Sequence, residues 1–329
     1  MEDANIFGSE IREDYRSGFY SIMVPKRHNR PEEIREESTG QFGISQCPFE
    51  PANDSMASEI ARYGNPWQVK VIENKYPELS GNTPFGETTD KDGLLKSVGG
   101  YGYNEVLIDS QIHTDIFEAM PLEKLKDWLD ALIDREEVLY ERRYIKSVLV
   151  FKNYGAVGGA SLAHPHTQIM AWPLLIGLIK RESDVSRHYK ENHGDCLYEK
   201  IYETERGRLL LDNDSFFAVA PFGSRTAAES MIVPKRHVNY IGDLSDTEKT
   251  DFVSALRSVL LTNRKIYGNQ AYNFVIHEIK DYPDFHMHLE IYPRLSTLGG
   301  IELGENVFVN IILPEDYAEE FRKSITSSN

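Results

Sequence analysis

Cysteine is nearly missing from this chain: Cys47 and Cys196 are the only two among 329 residues. Two thiols cannot staple a fold of this length, so a disulfide framework is excluded and a reducing, cytoplasmic setting is expected. Long apolar runs are also missing. No stretch reaches the roughly 18 apolar residues of a membrane-spanning helix. The opening "MEDANIFGSEIRED" has no basic-then-apolar leader pattern. Basic charge is scarce as well, with 36 Lys and Arg against 52 Asp and Glu and a net charge of −16. So acidic a chain suits neither a nucleic-acid backbone nor an anionic membrane, and neither is expected as a partner. A small phosphorylated ligand stays open, because it needs only a few local cations and backbone N–H groups. The length admits two ordinary domains or one large one.

What is present is organised as a repeat. Residues 1–100 are rich in Pro, Gly and Asn, and short apolar runs such as "FYSIMV" and "PWQVKVIEN" read as strands between long loops. From Leu122 the pattern turns helical: Leu122, Leu125, Leu129, Leu132 and Ile133 share one face after Pro121, and the helix should run to about Tyr140. A strand, "IKSVLVFKN", follows, then the Gly-rich "YGAVGGAS", then "AHPHTQ". The second half repeats this order. Ser245 and Glu248 stand at a capping-box spacing ahead of Phe252, Leu256, Val259 and Leu260. The strand "AYNFVIHEI" and the segment "FHMHLEIYPR" come next. We therefore expect an α+β fold of two fused units, each an antiparallel sheet with a long packed helix, spanning residues 1–185 and 186–329.

The residues able to bind metal repeat too. Cys47 and Glu50 in "CPFE" precede His113 and His164, and Cys196 and Glu199 precede His237 and His286. The spacing from His113 to His164 is 51 residues and that from His237 to His286 is 49. A thiolate, a carboxylate and two imidazoles satisfy tetrahedral zinc, and four protein ligands make a closed structural site. Cys47, Glu50, His113 and His164 are expected to hold one zinc, and Cys196, Glu199, His237 and His286 a second. Taken singly, each cysteine reads as a small buried hydrophobe and each glutamate as a solvated charge. The ordered duplication outweighs that reading.

With His164 taken as a ligand, His166 is left with a nucleophilic role. An imidazole can form a phosphoramidate, which splits one hard phosphoryl transfer into two easier ones. Its other nitrogen needs a fixed acceptor, and a backbone carbonyl near Pro165 or His164 is the candidate. Gln168 can donate to a phosphate oxygen but cannot serve as a general base. Hydrolysis needs a base to activate water, whereas transfer to an ionised phosphate does not, so Gln168 favours transfer. The loop Asn153-Tyr154-Gly155 to Ser161 can turn backbone N–H groups onto a phosphate. Arg27 and Arg30 can supply positive charge.

Taken in order, "CPFE", "NYGAVGGASLAHPHTQIMAWP" and "FHMHLEIYPR" give a chain that resembles the galactose-1-phosphate uridylyltransferase family over roughly residues 10–320. The family is a duplicated branch of the histidine-triad superfamily. The resemblance implies that His166 takes UMP from UDP-glucose and passes it to a hexose-1-phosphate, with Gln168 holding the transferred phosphate. It implies phosphate or nucleotide contacts at Arg27, Arg30, Asn74, Asn153, Gly159 and Ser161, a sugar-contacting Glu302, zinc at the His164 site, and a homodimer. Two departures matter. The family's Cys-x-x-Cys stands here as Cys-x-x-Glu in both halves. The Lys-aromatic pair usually found just upstream of the "STLGGIELGENVFVN" segment is missing. Members without that pair include enzymes passing AMP from ADP-glucose or adenylylsulfate to phosphate, which is the alternative reading. A nucleotide-binding relative without turnover is a third. Some members bind a second metal, iron being one option, through a Glu and histidines, and Glu182, His277, His286 and His288 resemble that set.

Overall fold

The computed structural model describes residues 9–25, 45, 47–56 and 58–326. Arg27 and Arg30 lie outside them. In chain order the elements are strands β1 (Glu10–Glu13), β2 (Tyr20–Met23), β3 (Glu59–Tyr63), β4 (Val69–Glu73), β5 (Glu87–Thr89), β6 (Lys96–Val98) and β7 (Tyr103–Ile108), then helix α1 (Leu122–Tyr140). Strands β8 (Ser147–Tyr154) and β9 (His166–Trp172) follow, then helices α2 (Gly177–His193) and α3 (Leu197–Thr204) and strands β10 (Leu209–Asp212), β11 (Phe216–Val219) and β12 (Ser230–Pro234). The chain ends in α4 (Asp246–Tyr267), β13 (Tyr272–His277), β14 (His288–Pro293), α5 (Gly300–Glu305), β15 (Val307–Asn310) and α6 (Pro314–Thr326). Among the described residues no helix is long and apolar enough to cross a membrane.

Two compact units form by packing: residues 41–152 with 162–176, and residues 1–40 with 153–161 and 177–329. The sequence division at 185/186 follows the repeat, whereas these units follow contacts, and they are interleaved along the chain.

In the first unit antiparallel strands run in the order β3-β4-β7-β9-β8. In the second the order is β10-β11-β12-β14-β13, again antiparallel. The long helix that precedes the last hairpin is α1 in one and α4 in the other. The repeat expected from the sequence is therefore a repeat of topology. The second unit adds a small sheet in which β2 pairs with β1 antiparallel and with β15 parallel.

The helices form where the apolar period predicts. Leu125, Trp128, Leu129 and Leu132 of α1 are buried, as 3.6-residue spacing requires. Arg135 anchors the same helix to β7 through a bidentate pair with Glu105, both contacts at 2.8 Å. Helix α4 begins with the expected box: the Glu248 N–H donates to Ser245 Oγ and the Ser245 N–H donates to the Glu248 carboxylate. Phe252, Leu256, Val259 and Leu260 are buried beneath it.

Candidate active site and metal clusters

Side chains alternate across a strand. On β9 that puts Thr167, Ile169 and Ala171 on one face and His166, Gln168 and Met170 on the other. The first face meets α1, where the Trp128 indole donates to Thr167 Oγ1 at 3.1 Å. His166 and Gln168 therefore project together on the opposite face, with His166 only 6% exposed and Gln168 half-buried.

The His166 ring is fixed by its own backbone. Its Nδ1 lies 2.8 Å from the His164 carbonyl. A carbonyl only accepts, so Nδ1 carries the proton and Nε2 keeps its lone pair. This is the acceptor foreseen from the sequence. Burial pushes the imidazole pKa below its ordinary value, and the Lys152 ammonium adds to the effect, so the ring is neutral.

Lys152 and Asp109 were not picked out in the sequence. The Lys152 ammonium donates to Asp109 Oδ2 at 2.5 Å and to the His166 carbonyl at 2.8 Å. Asp109 also accepts from Thr167 Oγ1 at 2.9 Å, and its N–H donates to the Pro165 carbonyl at 3.0 Å. These four bonds hold residues 165–167 from behind. A signal was present: Lys152 continues the buried alternation of Val148 and Val150 on β8, where a hydrophobe is expected.

The first metal cluster forms as expected. Cys47, Glu50, His113 and His164 each offer a ligand atom, all within 4.8 Å of one another. His164 Nε2 donates to the Ser110 carbonyl at 2.7 Å, which leaves Nδ1 facing the cluster, 3.2 Å from the Glu50 carboxylate. His113 Nδ1 lies 2.7 Å from the same oxygen. One thiolate, one carboxylate and two oriented imidazoles fit a closed zinc site.

The second cluster is smaller than expected. Cys196, His237 and His286 converge, and Glu199 does not join them. His286 repeats the arrangement of His164: its Nε2 donates to the Pro234 carbonyl at 3.0 Å and its Nδ1 lies 3.3 Å from Cys196 Sγ. His286 thus stands with the cysteine rather than with the other set considered for it. That set closes instead with Glu290: Glu182, His277, His288 and Glu290 converge, all buried. Arg16, fully buried, reaches Glu229 at 2.8 Å and also hydrogen-bonds Glu290 beside this cluster. The ring of His288 is held like that of His166, with Nδ1 3.1 Å from the His286 carbonyl, but Glu290 occupies the position of Gln168.

The remaining candidates divide. Asn74 directly follows β4 and its Oδ1 accepts from the Tyr76 N–H at 3.0 Å. Asn153 lies near the end of β8, and Gly159 and Ser161 in the loop that follows it. Asn153 Oδ1 accepts from Asn273 at 2.7 Å, which leaves its amide NH2 to donate outward. The turn requires glycine: a Cβ on Gly158 would lie 2.3 Å from the Tyr154 carbonyl, and Gly155 has φ of 76°. Glu302 caps its own helix. Its carboxylate accepts from the Gly299 N–H at 2.7 Å and the Val309 N–H at 3.3 Å.

A tied His-Pro-His-x-Gln strand within a duplicated antiparallel unit defines a nucleotidyltransferase of the histidine-triad type. The family model for galactose-1-phosphate uridyl transferase, N-terminal domain, matches residues 3–175, and a domain of unknown function (DUF4921) matches 118–328. The chain belongs to the galactose-1-phosphate uridylyltransferase family. It is 30% identical to the ADP-glucose phosphorylase of Arabidopsis thaliana, over 95% of this chain and 92% of that protein. It is 28% identical to a galactose-1-phosphate uridylyltransferase of Thermotoga maritima, over 78% and 85%. The crystal structure of an Arabidopsis thaliana ADP-glucose phosphorylase with bound ADP-glucose matches with a TM-score of 0.85 at 28% identity, covering 96% of this chain and 99% of that one. A uridylyltransferase structure matches at 0.77 and 28%, covering 97% and 99%.

Proposed function

We propose that the chain moves a nucleotidyl group from a nucleotide sugar to a phosphate-bearing acceptor through a covalent bond to His166 Nε2. One observation carries this reading: the carbonyl of His164 holds the proton on Nδ1, so a neutral ring presents a lone pair on the face shared with Gln168. In the first step Nε2 bonds to the α-phosphorus and the sugar phosphate leaves with the bonding electrons. In the second, an ionised acceptor oxygen attacks the same phosphorus and the N–P bond breaks back to Nε2. No step needs a base, which fits Gln168 as the residue that steadies the phosphoryl oxygens. The Asn153–Ser161 segment supplies further donors, and Asn74 the nucleotide side. Zinc held by Cys47, Glu50, His113 and His164 would brace the segment that carries the nucleophile. The Cys196, His237 and His286 cluster would hold a second metal.

Two substrate pairs share this chemistry. UDP-glucose with galactose-1-phosphate fits the family model. ADP-glucose with inorganic phosphate fits the Arabidopsis relative. One feature of the fold favours the second pair: Glu302, the residue expected to contact the acceptor sugar, has both carboxylate oxygens engaged by backbone N–H groups. ADP-glucose phosphorolysis is therefore the pair to assay first.

Initial rates over a grid of donor (UDP-glucose, ADP-glucose or adenylylsulfate) and acceptor (galactose-1-phosphate or phosphate) decide between them. A ping-pong reaction gives parallel double-reciprocal lines for one pair. Converging lines, or turnover that ignores the acceptor, would overturn the covalent transfer.

A further inference from the structure

Between its cysteine and its glutamate, each Cys-x-x-Glu segment carries an aromatic residue, Phe49 in the first half and Tyr198 in the second. Each packs against the His-x-His pair of its own half. The Phe49 ring centre lies 5.3 Å from that of His166, at 63°, and 6.0 Å from that of His164, at 87°. The Tyr198 ring centre lies 4.7 Å from that of His288, at 27°, and 5.5 Å from that of His286, at 31°. The pairing recurs and the angle does not. A ring turned steeply to another touches it along an edge, whereas a flat one covers a face. His288 is fully buried, and His166 keeps 6% of its surface exposed.

One hydrogen bond does not fix an imidazole. The bond from Nδ1 to the His164 carbonyl leaves the ring free to rock about the N–H···O line and to carry Nε2 away from Gln168. A packing contact on the ring removes that freedom. Phe49 can supply it because Phe49 is itself held. Its turn is closed by the Glu50 N–H on the Cys47 carbonyl at 3.3 Å and by the Asn53 side-chain amide on the same carbonyl at 2.8 Å. Its ring is buried and packs with Cys47, Trp67, Ile72, Val106 and Ile108. Val106 and Ile108 stand opposite Gln168 and His166 in the pairing of β7 with β9. Residues directly opposite share a face, so this apolar cluster lies on the nucleophile's side of the sheet.

We infer that Phe49 is a positioning residue for His166: its ring, carried by the Cys47–Glu50 turn, holds the imidazole with Nε2 toward the face shared with Gln168. The inference rests on the reading of His166 as the nucleophile. Aromatic pairs at steep angles, with centres about 4.5–7 Å apart, contribute beyond the area that they bury. Without that contact the ring spends part of its time out of the reactive orientation, and the reactive fraction sets the rate. The ring makes no bond to the donor in this role, so its loss slows the first step without weakening binding. In the second half the flat Tyr198 ring closes a face of His288 instead.

Two measurements on the full chain test this. The first uses no substrate. Histidine side chains are labelled with ¹⁵N, and the His166 ring is identified by its loss in His166→Gly. The parent should show one tautomer, with the proton on Nδ1. In Phe49→Leu and Phe49→Met, which keep an apolar side chain without a ring, the two nitrogen signals should move toward each other. In Phe49→Tyr, the residue type of the second half, they should stay as in the parent. The second measurement is the rate of adduct formation with ADP-glucose or UDP-glucose at saturation. The Leu and Met variants should slow it about three- to tenfold, with the half-saturating concentration unchanged, and Phe49→Tyr should keep the parent rate. Ring signals and rates that match the parent in the Leu and Met variants would overturn the inference. A raised half-saturating concentration at an unchanged rate would do the same, because it makes the ring part of the donor's site. Equal losses in all three variants would show that the aromatic ring is not what holds His166. Ring signals that move as expected in a protein that forms no adduct would keep the positioning role and overturn the nucleophile.

Discussion

Lys152 and Asp109 show how much of the geometry of His166, the proposed nucleophile, is set from behind the strand that carries it. Both are buried, and their contact is one of the bonds that hold residues 165–167. Removing one partner leaves a bare charge in the interior, so Lys152→Met is expected to cost about 3–5 kcal/mol in urea unfolding. The double variant Lys152→Met with Asp109→Leu should cost clearly less than the two single changes added together. Additive losses would mean that the pair is not coupled. At Gln168 the prediction concerns lifetime. A carboxylate there supplies the base that an amide lacks. In Gln168→Glu the labelled intermediate should therefore hydrolyse faster when no acceptor is present, and an unchanged half-life would remove the argument from the amide. His166 was legible from its motif. Lys152 was legible only as a charged residue in phase with buried valines, a pattern that is informative once the strand's inward face is known.

At the scale of elements, α4 makes the sharpest case. Its capping box was readable from Ser245 and Glu248, and the Arg236 guanidinium adds to it. Hydrogen bonding from Arg236, and from Ser245, pulls the Glu248 carboxyl down to about 2, below its ordinary value of 4.5. A depressed carboxyl stabilises the fold above its unfolded pKa and loses that contribution as pH falls through its folded value. Glu248→Ala should therefore cost about 1 kcal/mol near neutral pH, a modest figure because the group is exposed to solvent screening. The gap between variant and parent should close between about pH 4.5 and pH 2. Thermal melts at pH 7 and pH 3 check this, and a gap that widens in acid would contradict it. Helix α1 was equally readable, since its apolar spacing is unbroken. Helix α2 was not, because the face it buries carries Ile179, Glu182, Ser183 and Ser186. That polar face contributes Glu182 to a buried polar cluster, which removes the apolar signal. Strands β9 and β14 were hidden for the same reason: each opens with site residues where strand-forming apolar residues would stand.

For the molecule as a whole, the duplication was visible in the order of Cys-x-x-Glu, His and His-x-His, and the structure gives it as the same five-strand order in each unit. What was not visible is the sharing of segments. Strand β15 pairs in parallel with β2, across almost the whole chain, and no local pattern reports so distant a pairing. The two halves also differ in chemistry. His288 repeats the ring geometry of His166, but Glu290 stands where Gln168 would. We infer one nucleophile per chain, in the first half. Intact-protein mass spectrometry after incubation with the nucleotide-sugar donor, with acceptor left out, tests this most directly. The account predicts a gain of one nucleotidyl group per chain, mapped to His166, absent in His166→Gly and discharged by the acceptor. An adduct that persists in His166→Gly, maps to His288, or never forms with any of the donors would contradict it.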